Sequence, residues 1–116
     1  MNEAGHQQRA LDTEKAAADL GDPAAKPYIC ALAVEAYWGA SFHWLVVGCM
    51  RKHGWHTDSH LGLVRNLTRL GEAAIAQTWA TVERLRNNAW YSYKSTPTEV
   101  TEAAALWRQI RAWATS

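Results

Sequence analysis

The hydrophobic positions of this chain recur three and four residues apart through most of its length, the spacing of an α-helix, and nowhere alternate as a half-buried strand would. The pattern predicts five helical segments, over residues 7–20, 28–52, 59–70, 72–90 and 97–114. The second is apolar nearly all round. Ile29, Leu32, Ala36, Ala40, Trp44 and Val47 follow one stripe, while Val34, Tyr37, Leu45 and Gly48 fall on others. A helix apolar on every side must be enclosed by neighbours, so it is expected at the centre of a bundle. Ala33, Ala36, Gly39, Ala40, Ser41 and Gly48 leave room for those neighbours to come close.

The other segments are one-sided. The first has only a weak stripe of Ala10, Leu11, Ala17, Ala18 and Leu20, with charged residues opposite. The third turns Leu63, Leu67 and Leu70 inward and carries Arg65 and Arg69 as a basic pair one turn apart. In the fourth, Ile75, Trp79, Val82 and Leu85/Arg86 mark the buried side, and in the fifth Val100, Ala103, Ala104, Leu106, Trp107, Ile110 and Trp113 do so. The breaks carry their own chemistry. Gly21-Asp22-Pro23 is a turn, Arg51-Lys52-His53 suits the negative end of a helix dipole before Gly54, and Thr57 or Asp58 can cap the third helix. Thr96-Pro97-Thr98-Glu99 is a helix start with proline at the first position and glutamate three after the cap. The reading is all-α: one domain over residues 1–116, a four- to five-helix up-and-down bundle.

Composition narrows the function classes. With 116 residues the chain has room for one core. A net charge of +1 argues against a general nucleic-acid coat that works by neutralising phosphates, while leaving room for a local basic face. Seven tryptophans are more than so small a core can bury completely, which suggests a self-association surface or a ligand-facing wall. Cys30 and Cys49 fall in the same predicted helix, about 28 Å apart at the α-helical rise, so they cannot bridge; free buried thiols fit a cytoplasmic setting. Residues 1–22 lack an apolar leader core, and the apolar run 28–50 is interrupted by Glu35 and His43, so a core helix is expected rather than a membrane span.

Candidate chemistry concentrates in residues 83–93, where Arg84, Arg86, Asn87, Asn88, Trp90, Tyr91 and Tyr93 fall together at a helix end. Arg86, Trp90 and Tyr93 stand at i, i+4 and i+7, one face of a continuing helix. A guanidinium among aromatics and amides can grip a phosphate or stack on a base; the same stretch also suits a solvated helix end with a core tryptophan. Elsewhere the signals are thinner. His56 and His60 lack enough ligands in step for zinc, so no metal is expected there. His43 reads first as a core histidine, with a loose pairing to Glu35, two turns earlier, left open. No phosphate-binding loop, dinucleotide fingerprint, zincin motif or nucleophile elbow occurs. The residues by themselves define a helical bundle with an arginine–aromatic corner, and no reaction.

Three segments resemble a known family. Ala36-Tyr37-Trp38-Gly39-Ala40-Ser41-Phe42-His43 resembles the A-Y-Y-A-x-F-H signature in the central helix of HEPN domains, and His60-Leu61-Gly62-Leu63 the segment that often opens their next helix. Arg86-Asn87-Asn88-Ala89-Trp90-Tyr91-Ser92-Tyr93 resembles their late R-(N/D/H)-x-x-x-H-x-Y motif. The order and spacing agree over about residues 5–114. The resemblance implies a small helical bundle that forms a homodimer with paired motifs in a shared cleft, as in metal-independent endoribonucleases of toxin–antitoxin and defence systems. Carried over, Arg86 grips the phosphate, Asn87 is its polar neighbour, and Tyr93 is the residue that a partner nucleotidyltransferase would modify. Arg84, Arg86, Trp90 and Tyr93 make up the expected ligand-binding set, with no cofactor.

One position departs from the motif: Tyr91 stands where the catalytic histidine would be. A phenol of ordinary pKa near 10 is a poor general base at neutral pH, and acid–base catalysis typically contributes about 10² to 10⁴-fold. The expectation is therefore binding of RNA or a nucleotide with weak or absent nuclease activity. An inert helical interaction module is the alternative. An active ribonuclease using Arg86 with Tyr91, or with a relocated base such as His43 or His60, is the third reading.

Overall fold

The computed structural model describes residues 1–91 and 95–116. It contains helices α1 (Glu3–Asp19), α2 (Cys30–His53), α3 (Leu63–Arg69), α4 (Ala73–Tyr91) and α5 (Pro97–Ala114), with a 3₁₀ turn, Pro27–Ile29, leading into α2. Among the described residues there is no strand. α2 packs against α1, α4 and α5, as a helix apolar on all sides requires, and α3 lies on α4. Pro27–His53 has the length and hydropathy of a membrane span, yet over half of its most apolar 18-residue stretch is buried inside the protein, which is the pattern of a core helix.

The core lies around the C-terminal half of α2. Trp44, Leu45, Val46 and Val47 meet Leu63 and Leu67 of α3, Trp79 and Val82 of α4 and Ile110 of α5, all essentially without solvent exposure. A second cluster around Cys30, Ala33 and Val34 joins Leu85 and Ala89 to Val100 and Ala103. Both cysteines are buried free thiols. At Gly48 the Trp113 ring of α5 packs directly onto α2: an added Cβ would lie 2.3 Å from it. α1 is attached by Ala10 and Ala17 and by Glu14, whose nearly buried carboxylate accepts from Arg111 at 2.7 Å.

Three local features differ from the sequence expectation. α1 begins at Glu3 rather than near residue 7, because the Asn2 side chain caps it by accepting from the Gly5 amide at 2.7 Å. α3 begins at Leu63 rather than 59. Thr57 spends its hydroxyl on a local turn with Ser59, Asp58 turns away toward α1, and Gly62 stands at φ +69°, so the helix cannot start earlier. Leu32, placed on the buried stripe of α2, is 53% exposed, and neighbouring Tyr28 is 80% exposed, so the N-terminal end of α2 is only partly enclosed.

Candidate functional site

Two helical stripes meet to build the site. On α2, Glu35, Trp38 and Phe42 stand three and four residues apart; on α4, Trp79, Glu83, Arg86 and Trp90 do the same. Because α2 and α4 pack together, the stripes face each other. Glu35 Oε2 accepts from Arg86 Nε at 2.8 Å and from Trp90 Nε1 at 2.8 Å. The Arg86 guanidinium carbon lies 3.9 Å from the centre of the Trp38 ring, and the Trp38 indole donates to Glu83 Oε1 at 2.8 Å. The chain of contacts continues to His60, whose Nδ1 lies 3.4 Å from the same Glu83 oxygen and whose ring meets Trp38 edge-on at 5.1 Å. Phe42 and Trp79 back Trp38 from the core.

Arg86 is thus held from two sides, by a carboxylate at Nε and by an indole under its plane. Such a guanidinium loses less rotamer entropy when it binds something else. Burial alone would raise the Glu35 carboxyl, but the hydrogen bonds from Arg86 and Trp90 outweigh it and hold Glu35 below its ordinary range; the Glu35 bond in turn raises Arg86. Both stay charged at neutral pH. A carboxyl held ionised in this way is a poor general acid.

Glu35, Arg86, Asn87, Trp90 and Tyr91 line an open cleft of about 260 Å³. Trp90 is 48% exposed and Tyr91 is 84% exposed, so its aromatic wall faces solvent. A second cleft of about 290 Å³, between His60–Val64 and Trp79, Ala80 and Glu83, lies on the other side of the Trp38–Glu83 contact. The first combines a fixed cation, an amide and two exposed rings, which suits a phosphate with a base stacked beside it. Its charge is compensated within the site by Glu35, so it offers no strong anion field.

Of the residues singled out from sequence, Arg86, Asn87, Trp90 and Tyr91 come together in this cleft. Arg84, two positions from Arg86 and so on another side of α4, pairs instead with Glu102 of α5 at 3.6 Å. His43 lies with α1: its Nδ1 is 2.9 Å from His6 Nδ1, and burial together with the neighbouring His6 and Arg9 pushes it down to about 4. Tyr93 lies outside the described residues. Glu35 is paired with Arg86 rather than with His43. Trp38 and Glu83 join the site through packing between helices, and the sequence signal for them is the matching i, i+3 and i+4 spacing of α2 and α4. His60, weighed from sequence only as a relocated base, reaches Glu83 and Trp38 from the α2–α3 connection. No known protein family, curated protein or solved structure matches this chain.

Proposed function

We propose that the chain binds single-stranded RNA or a nucleotide through the Arg86–Asn87–Trp90–Tyr91 cleft, as a HEPN-like member of a toxin–antitoxin or defence system with weak or absent nuclease activity. The observation that carries this reading is the fixing of Arg86 between Glu35 and Trp38 at the mouth of a cleft with two exposed aromatic rings. The resemblance of residues 36–43 and 86–93 to HEPN motifs supports it, because residues 36–43 lie on α2 and residues 86–91 on α4, the two helices that meet at the Trp38–Arg86 contact. Tyr91 at the histidine position and the ionised Glu35 both favour binding over cleavage.

A homodimer is part of the same proposal. Leu32 stands exposed about one turn before Glu35 on α2, Tyr28 is exposed in the 3₁₀ turn that leads into α2, and Trp90 and Tyr91 of the cleft are exposed on α4, so large apolar side chains are available for a second copy to cover. A second copy covering them would bring two Arg86 residues into one groove, and a nucleotidyltransferase partner would have to act beside it. A second reading, active metal-independent cleavage, draws on His60, which Glu83 and Trp38 link to Arg86.

Titration of the Trp fluorescence with a single-stranded RNA oligonucleotide tests the proposal. Saturable binding is expected, with Arg86→Ala and Trp90→Ala each weakening it by on the order of 10-fold, since base–aromatic stacking is worth about 1–3 kcal/mol. Absence of binding, or binding that neither substitution weakens, rejects the cleft. RNA cleavage in the presence of a chelator that His60→Ala abolishes would favour the nuclease reading.

A further inference from the structure

A polar group where α1 meets α2 and the α2–α3 connection lies outside the lining of the cleft. His6 is 1% exposed on α1, yet its Nε2 points at the connection between α2 and α3, where it meets Asp58 Oδ1 at 2.9 Å and His56 Nε2 at 3.4 Å. His56 Nε2 and Asp58 Oδ1 are themselves 3.2 Å apart. Three donor atoms, each from a residue type that binds transition metals, therefore form a nearly equilateral triangle. In a tetrahedral site with ligands about 2.0–2.1 Å from zinc, neighbouring donors lie about 3.3 Å apart. The three edges match the face of such a site.

The surroundings also match. A ligating histidine usually has its second ring nitrogen hydrogen-bonded, which fixes the tautomer that presents a lone pair to the metal. His6 Nδ1 lies 2.9 Å from His43 Nδ1, so a proton on His6 Nδ1 donated to His43 leaves the His6 Nε2 lone pair directed at the triangle. Phe42 packs edge-on against the His6 ring and holds it in place. His56 and Asp58 are exposed, so the fourth side of the triangle opens to solvent. The Met1 amino nitrogen, 3.3 Å from both Asp58 oxygens, is the other cation at this carboxylate.

We propose that His6 Nε2, His56 Nε2 and Asp58 Oδ1 bind one divalent first-row transition metal ion, joining α1 to the α2–α3 connection. The ion takes the place of the direct His6 Nε2–Asp58 contact, with the single proton of the neutral His6 ring on Nδ1 facing His43, and its open position is available to water or a small anion. The site is separate from the Arg86 cleft and stands or falls independently of it.

Calorimetric titration of the metal-stripped full chain with zinc chloride tests this. Expected are one equivalent of zinc per chain, reversal by chelator, and a melting temperature that rises with zinc. His56→Ala and Asp58→Asn change exposed side chains and should each weaken zinc binding by on the order of 10-fold or more and remove the thermal shift. His53→Ala, which breaks the separate His53–Glu72 pair at 3.0 Å, should leave both unchanged. Circular dichroism establishes that each variant is folded. Lack of one-to-one binding overturns the proposal, as does weakening in only one of the two ligand variants or a loss caused by His53→Ala.

Discussion

The Arg86 guanidinium lies over the Trp38 ring at 3.9 Å while Trp38 donates its own indole proton to Glu83. One aromatic side chain of α2 therefore both supports the cation and is itself fixed by the helix that carries the cation. The arrangement orients Arg86 without burying it, because the arginine keeps about a third of its side-chain surface. Cation–π contact and a charged hydrogen bond together hold a site that could still exchange partners.

That exchange leads to a directional prediction. Glu35 neutralises Arg86, so Glu35→Gln should raise affinity for a single-stranded oligonucleotide several-fold, with the salt dependence steepened by up to roughly 0.7 in log–log slope for one more neutralised phosphate. Fluorescence titrations at several salt concentrations measure both. A fall in affinity would show that Glu35 serves binding chiefly by orienting Arg86.

Arg84 and Arg86 are two residues apart and should behave differently. Arg84→Ala removes an exposed pair with Glu102 and is expected to change stability by less than about 1 kcal/mol and leave oligonucleotide binding as it was. Equal loss of binding in Arg84→Ala and Arg86→Ala would mean that a diffuse basic surface, rather than the cleft, attracts the ligand.

Glu35 also predicts a pH dependence. Burial opposes its ionisation, but the Arg86 and Trp90 hydrogen bonds prevail, so its folded pKa lies below the ordinary 4.5. Folding then favours the ionised form. The stabilisation is complete above the unfolded pKa near 4.5 and is lost as pH falls through the lower folded value. Melting temperatures between pH 6 and pH 3 should fall more steeply for the wild type than for Glu35→Gln.

Gly48 is expected to be intolerant of substitution. In Gly48→Ala the new Cβ would lie 2.3 Å from Trp113, and the indole is also tied to Glu72 by a 3.0 Å hydrogen bond. Overpacking of this kind costs about 1–3 kcal/mol. Denaturant unfolding measures it, and Trp113→Leu in the same chain should recover part of the loss if the ring is the obstacle.

The all-helical class, the central position of α2 and the start of α5 at Pro97 were readable from periodicity and capping chemistry, because both act within a few residues of the chain. So was the cleft's α4 contribution, since Arg86 and Trp90 share a helical face whatever surrounds them. The α3 boundary was harder: Thr57 and Asp58 are good caps, but each found a competing partner, one in its own turn and the other on α1.

What the chain settled alone, then, is which residues form helices and which faces of those helices are apolar, for these follow from local geometry and solvation. Which polar residue faces which was decided only by helix packing. Nothing in the spacing pairs Glu35 with Arg86 across 51 positions, or brings His6 to His56 and Asp58 across 50 and 52. Those encounters depend on the angle and register at which α1, α2 and α4 meet, and that is set by the summed packing of Trp44, Trp79 and their neighbours rather than by any local signal.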